Sequence, residues 1–220
     1  LARVLHMGCW SEVRSFGASV NDFTARGPAH DFAVFQQGQR LGQVQWTLTG
    51  SHNQLNALAA IAAAEHVGVA PAAASQALAS FENVKRRMEL RGNVISTGGK
   101  IAVYDDFAHH PTAIRTTVDG LRQTLAANER ILAVFEPRSN TMRLGAMKAQ
   151  LPWSLEHADL AFCHSAGLDW DAAAALLPMG ERAVVTENID DLVRRVSQVA
   201  RGGDHILCMS NGGFAGVHTK

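Results

Sequence analysis

Much of what usually labels a sequence with a chemistry is missing from this chain. No Gly-x-x-x-x-Gly-Lys-Ser/Thr phosphate loop occurs in its 220 residues, so it carries no P-loop cradle for nucleotide phosphates. Cys-x-x-Cys, His-Glu-x-x-His and Gly-x-Ser-x-Gly are absent too, which removes the commonest redox, metalloprotease and serine-hydrolase arrangements. The cysteines (Cys9, Cys163, Cys208) number three and lie far apart, so a disulfide framework is excluded, and Cys163 and Cys208 sit within apolar strand patterns as buried thiols. No apolar run approaches the ~20 residues needed to span a bilayer, and nothing resembles a signal peptide. Lys and Arg total 20 against 20 Asp and Glu, so no bulk field calls for nucleic acid or a membrane surface. These absences point to a cytoplasmic protein with neither kind of partner.

What is present is ordinary globular material, 47% hydrophobic and 18% charged, long enough for one large domain or two small ones. The chain begins at Leu1 and stops at Lys220 just after a glycine-rich turn, and both ends read as cut from something longer. In the first part, residues 31–36, the turn Gln37-Gly38-Gln39, and Val44, Trp46 and Leu48 in alternation with polar residues predict a half-buried hairpin. An alanine-rich helix is expected over 53–67, stopped by Gly68, and a second from Pro71 carrying Leu78 and Phe81. The polar run from Glu82 to Arg87 marks a domain junction, giving domains 1–83 and 84–220. Beyond it strands are expected at 101–105, 131–135, 159–163, 182–186 and 205–209, and helices at 111–127, 141–151, 169–177 and 188–200. Strands separated by single helices predict an α/β fold with right-handed crossovers and a mostly parallel sheet covered on both faces.

Polar blocks fall where such a sheet binds ligands, outside the carboxyl ends of its strands. Asp105-Asp106-Phe107-Ala108-His109-His110-Pro111-Thr112 ends one strand and opens a helix, which suits a polar, phosphorylated ligand better than a solvated loop does. Adjacent His109 and His110 diverge on any regular backbone, which is poor geometry for a metal, and no metal site is assigned. Ser51-His52-Asn53-Gln54-Leu55-Asn56 opens the alanine-rich helix, with Asn53 and Asn56 on one face; amides suit the donor–acceptor edge of an adenine, and capping by Ser51 or Asn53 is the plainer alternative. Lys85-Arg86-Arg87 at the junction offers guanidinium forks to phosphate, or is a solvated linker. Phe135-Glu136-Pro137-Arg138-Ser139-Asn140-Thr141 follows a second strand, with Ser139, Asn140 or Thr141 able to cap a helix. Met209-Ser210-Asn211-Gly212-Gly213 follows the last strand, where its amides could cradle an anion or form a bare turn. No dinucleotide fingerprint opens the sheet, which argues against an oxidoreductase.

Together these blocks resemble the Mur ligase family of ATP-dependent peptidoglycan-precursor enzymes. Residues 50–57 are similar to its Gly-x-His-Asn-x-x-Asn helix, Arg87-Met88-Glu89 to its Arg-x-Glu, and residues 105–112 to the Asp-Asp-(aromatic)-x-His-His-Pro-Thr block of its muramate-attaching branch. The resemblance implies the end of an ATP-binding α/β central domain followed by a Rossmann-like C-terminal domain. It implies ATP and Mg2+ as cofactors, the metal ligands, phosphate loop and UDP-sugar site lying in upstream segments. His52, Asn53 and Asn56 would serve the adenine, Arg87 the phosphates or ribose, and Asp106 the ribose hydroxyls. Some members carry a lysine where this chain has Ala108; His109 or His110 would take over that catalytic polar role. Residues 135–142 and 209–214 look most like the branch that returns a salvaged tripeptide to UDP-N-acetylmuramate through an acyl phosphate, with Arg138, Ser139, Asn140 and Ser210 lining the peptide pocket. The branch that adds L-alanine, and a non-catalytic nucleotide-binding module, are the alternatives. On any ligase reading the 220-residue chain alone is inactive.

Overall fold

Hydrophobic patterning divides the chain into two compact units, Leu1–Glu82 and Asn83–Lys220, each with its own core. The computed structural model describes residues 2–220. The first unit begins with a short helix, α1 (Ala2–His6), and a four-stranded sheet in the order β1 (Phe16–Gly17), β2 (Phe23–Arg26), β3 (Asp31–Gln36), β4 (Gln39–Gln45). The hairpin between β3 and β4 turns at Gln37 and Gly38, both at positive φ (47° and 85°), the conformation that matches the twist of a two-residue turn. Phe23, Phe32, Val34 and Val44 point to one face and bury fully against Ala57, Leu58 and Ile61 of α2 (Ser51–His66). The predicted alternation past Gln45 ends in coil: Trp46 instead donates its indole N–H to the Ala29 carbonyl at 2.7 Å. Helix α3 (Pro71–Ala77) starts on its proline, and Leu78 joins the core, but Phe81 lies beyond the helix and is exposed.

The second unit is a six-stranded sheet in the order β5–β6–β10–β7–β8–β9. Its strands are β5 (Glu89–Ser96), β6 (Gly99–Asp106), β7 (Arg130–Phe135), β8 (Leu160–His164), β9 (Ala183–Thr186) and β10 (Asp204–Met209). All neighbours are parallel except the β5–β6 hairpin. Helices α4 (Pro111–Arg122), α6 (Leu151–Ser154) and α7 (Ala172–Leu176) bury one face through Ile114, Val118, Leu121, Leu151 and Leu176. Helix α8 (Ile189–Val199) buries the other through Leu192 and Val196, joined by Phe214. The chain therefore steps outward from β6 to β7, β8 and β9 with helices on one face, then returns to β10 with α8 on the opposite face, so that all the crossovers share one hand.

All five predicted strands form, and the mostly parallel α/β sheet is as expected. The predicted helix over 141–151 is instead α5 (Asn140–Arg143), a 3-10 turn at Lys148–Gln150 and α6, because Gly145 (φ 75°) breaks the run with Trp170 against it. The helix expected over 169–177 starts late, at Ala172, where Asp171 accepts the Ala174 N–H at 3.0 Å. Val199, the last residue of α8, is exposed.

Candidate functional site

Strand register in the second unit sets the site. Asp106, Met209, Phe135 and Cys163 lie in one row across β6, β10, β7 and β8, so Phe107, Ser210, Glu136 and His164 form the next row, at the carboxyl edge. Two further bonds extend the ladder there, Ser210 N–H to the Asp106 carbonyl and Glu136 N–H to the Met209 carbonyl, both 3.1 Å. The chain leaves β6 and β7 toward one face and β10 toward the other, so the edge around β10 is the switch point at which open α/β sheets hold ligands.

Glu136 is the centre of one cluster. Its carboxylate accepts the Ser210 hydroxyl at 2.7 Å, and the same hydroxyl accepts the Gly212 N–H at 3.0 Å. The His164 Nδ1 stands 3.6 Å from the other Glu136 oxygen, beyond hydrogen-bond reach, while its Nε2 is 3.1 Å from the Glu187 carbonyl. A carbonyl only accepts, so Nε2 carries the proton and Nδ1 is left facing the acid. Ser210 and Glu136 are both buried. Arg138 is exposed and lies along Gly212, where any β-carbon would sit 2.8 Å from its guanidinium. Ser139 caps α5, accepting the Met142 N–H at 3.4 Å, and Asn140 is exposed beside it.

The Asp-Asp pair behaves differently from the expectation that its carboxylates project from the sheet's rim. Both are buried and engaged within the unit. Asp105 takes the Arg86 guanidinium at 3.2 Å and the His218 imidazole at 3.3 Å. Asp106, 2% exposed, accepts the N–H groups of Met88 (2.8 Å) and Ala108 (2.7 Å) and the Thr117 hydroxyl (3.3 Å). Burial pushes its carboxyl above the usual range, opposed by these bonds and by the charge of Arg87. What faces solvent is Phe107, with the Arg86 and Arg87 guanidiniums 5.6 and 5.7 Å from its ring and His109 edge-on at 5.2 Å. His109 Nδ1 is 2.9 Å from the Phe107 carbonyl, and half-buried His110 holds the N-cap position of α4 without a side-chain cap.

In the first unit, Gly50 (φ 86°) holds the N-cap position of α2 with no side-chain cap, so capping by Ser51 or Asn53 is not what those residues do. Asn53 donates its amide to the Thr49 carbonyl at 2.8 Å, Asn56 is exposed, and His52 is half-buried. Among the described residues no group of three or more His, Cys, Asp or Glu side chains is arranged to hold a metal ion. No helix among them is long and apolar enough to cross a membrane. Sequence reasoning missed Arg86, His164 and His218 as members of the edge. His164 had a signal, a histidine ending an apolar strand; Arg86 was hidden among three adjacent cations, and His218 had none.

Residues 86–212 match a family profile described as Mur ligase, glutamate ligase domain. The whole chain is 45% identical to UDP-N-acetylmuramate--L-alanyl-gamma-D-glutamyl-meso-2,6-diaminoheptandioate ligase of Escherichia coli (strain K12), of which it covers 48%. It is 31% identical over 84% of its length to UDP-N-acetylmuramate--L-alanine ligase of Anaeromyxobacter dehalogenans (strain 2CP-C), of which it covers 41%. The crystal structure of a murein peptide ligase from Psychrobacter arcticus 273-4 superposes with a TM-score of 0.73 at 37% identity, over 99% of this chain and 47% of that one. The chain thus spans about half the length of the curated relatives it matches. With its mostly parallel sheet, its polar carboxyl edge and the profile match over residues 86–212, the chain belongs to the Mur ligase family.

Proposed function

We propose that this chain is the C-terminal part of an ATP-dependent amide ligase that joins the tripeptide L-Ala-γ-D-Glu-meso-diaminopimelate to UDP-N-acetylmuramate during peptidoglycan recycling in the cytoplasm. The observation that carries this reading is the 45% identity along the whole chain to a relative whose name states those substrates, against 31% to one named for L-alanine. In this reading the first unit is the end of the ATP-binding central domain. ATP supplies a phosphoryl group that turns the muramoyl carboxylate into an acyl phosphate, and Mg2+ is held mainly by residues outside this chain.

The chain's own residues then have definite tasks. His52, Asn53 and Asn56 serve the adenine, the exposed amide of Asn56 offering both a donor and an acceptor. Arg87, exposed above Phe107, meets negative charge of the nucleotide. Asp106 keeps the turn that carries His109 and His110 in place through the Met88 and Ala108 amides, and either imidazole stands near enough to solvent to take up the proton that the peptide amine sheds as it attacks the acyl phosphate and displaces phosphate. Arg138 offers a guanidinium fork to a peptide carboxylate, with Ser139, Asn140 and the Glu136-bound Ser210 beside it.

The test is ligation by the full-length protein, followed by phosphate release and by the mass of the product. Tripeptide-dependent formation of the UDP-sugar tripeptide, much faster than L-alanine addition at equal concentration, is the expected result. Preference for L-alanine, or no ATP-dependent product, would overturn the proposal.

A further inference from the structure

Arg86 stands just inside the second unit and adopts the left-handed region (φ 59°), as does Met88 (φ 50°), conformations that residues with a β-carbon hold only when their surroundings enforce them. The surroundings are explicit. The Arg86 N–H donates to Glu89 at 2.9 Å, its carbonyl accepts the Phe107 N–H at 2.8 Å, and the Met88 N–H is held by Asp106 at 2.8 Å. This bend aims the guanidinium across the carboxyl ends of β6 and β10. Its Nε lies 3.2 and 3.4 Å from the two Asp105 oxygens, and its Nη2 donates to the Ser210 carbonyl at 2.6 Å. His218 approaches the same Asp105 carboxylate at 3.3 Å. Ser210 is thereby gripped twice, at its carbonyl by Arg86 and at its hydroxyl by Glu136.

We propose that Arg86 is a positioning residue for the peptide substrate: anchored on Asp105, it fixes the turn from Ser210 to Gly213, and with it the Arg138 side chain lying on Gly212, without touching the peptide itself. The inference rests on the function proposed above. Two acceptors in different directions, a side-chain carboxylate and a main-chain carbonyl, call for a planar fork; the single ammonium of a lysine meets them poorly. Residues that only hold a fold together affect every substrate alike, whereas this grip acts on the peptide side of the strand edge.

The test compares Arg86→Ala, Arg86→Lys and Asp105→Asn with wild type in the full-length protein, varying tripeptide at saturating ATP and then ATP at saturating tripeptide. In Arg86→Ala the peptide KM rises roughly tenfold, the scale of a lost charge-assisted hydrogen bond, while the ATP KM moves by less than about twofold. Arg86→Lys falls between, and Asp105→Asn raises the peptide KM by an amount that does not add to that of Arg86→Ala in the double variant. Millimolar guanidinium lowers the peptide KM of Arg86→Ala and leaves wild type unchanged. Should Arg86→Ala fail to fold by circular dichroism, Arg86→Lys carries the test through the same KM comparison. An unchanged peptide KM in a folded variant, or equal rises in both KM values, overturns the inference while the ligase reading stands. Wild-type protein that joins no peptide removes that reading and the inference with it.

Discussion

Replacing Asp106 separates a contact with nucleotide from a contact within the fold. Its buried carboxylate receives two main-chain amides, from Met88 at 2.8 Å and Ala108 at 2.7 Å. In Asp106→Ala both amides lose their acceptor; at about 1–3 kcal/mol for each buried donor left unsatisfied, the loss is roughly 4 kcal/mol. For a chain of this size 1 kcal/mol moves the melting temperature by about 3 °C, so a drop of roughly 12 °C is expected. Asp106→Asn keeps one acceptor and sets an NH2 group against the second amide, at about half that cost. The assay is thermal unfolding by circular dichroism, at neutral pH and then across acid pH. Because burial raises the folded-state pKa above the ordinary 3.8, the folded protein holds this proton more tightly than the unfolded chain. The group's contribution is fully present below that ordinary value and is lost as pH rises through the elevated one. The asparagine does not titrate, so the advantage of wild type over Asp106→Asn narrows as pH rises through that window. A melting temperature for Asp106→Ala within about 2 °C of wild type, or an advantage that widens with pH, would refute the reasoning. A variant that melts like wild type yet uses ATP poorly would return the carboxylate to the nucleotide.

Gly202→Ala is expected to destabilise the chain by about 1–3 kcal/mol, as overpacking does, because the new β-carbon would meet main-chain atoms of Gly99 and Gly98 at 2.2 and 2.3 Å. A lowered urea midpoint with an unchanged slope would show it, and an unchanged midpoint would contradict it. Thiol reagents should find one fast cysteine, exposed Cys9, and reach Cys163 and Cys208 only on denaturation. Burial pushes the Cys208 thiol up to about 12 and Cys163 higher still, so little thiolate exists to react. Two fast equivalents in the native protein would contradict the burial of those strands.

Several features were legible from residues alone because the physics behind them is local. The strands at 131–135 and 205–209 are apolar runs buried on both faces, and the sheet class follows from their alternation with helices. β5 escaped notice because Arg91, Gly92 and Asn93 interrupt any pattern; as an edge strand exposed along most of its length, it has little to bury. The positions of the polar blocks at strand ends could be foreseen, but not where their side chains turn. Asp105 and Asp106 look alike in sequence, yet opposite pleat faces give one a guanidinium and the other two amides. Arg86 and Arg87 could be told apart only by the bend at Arg86, which depends on contacts with residues 105, 107 and 210.

The last strand of the chain is also a middle strand of its sheet. Until Asp204–Met209 inserts between β6 and β7, neither neighbour has its partner, and two strips of open main chain wait side by side. During synthesis this unit therefore stays unfinished until Asp204–Met209 has left the ribosome, and its folding is governed by distant pairings that close slowly. A chain broken off before Asp204 would lose a central plank of the sheet rather than an edge.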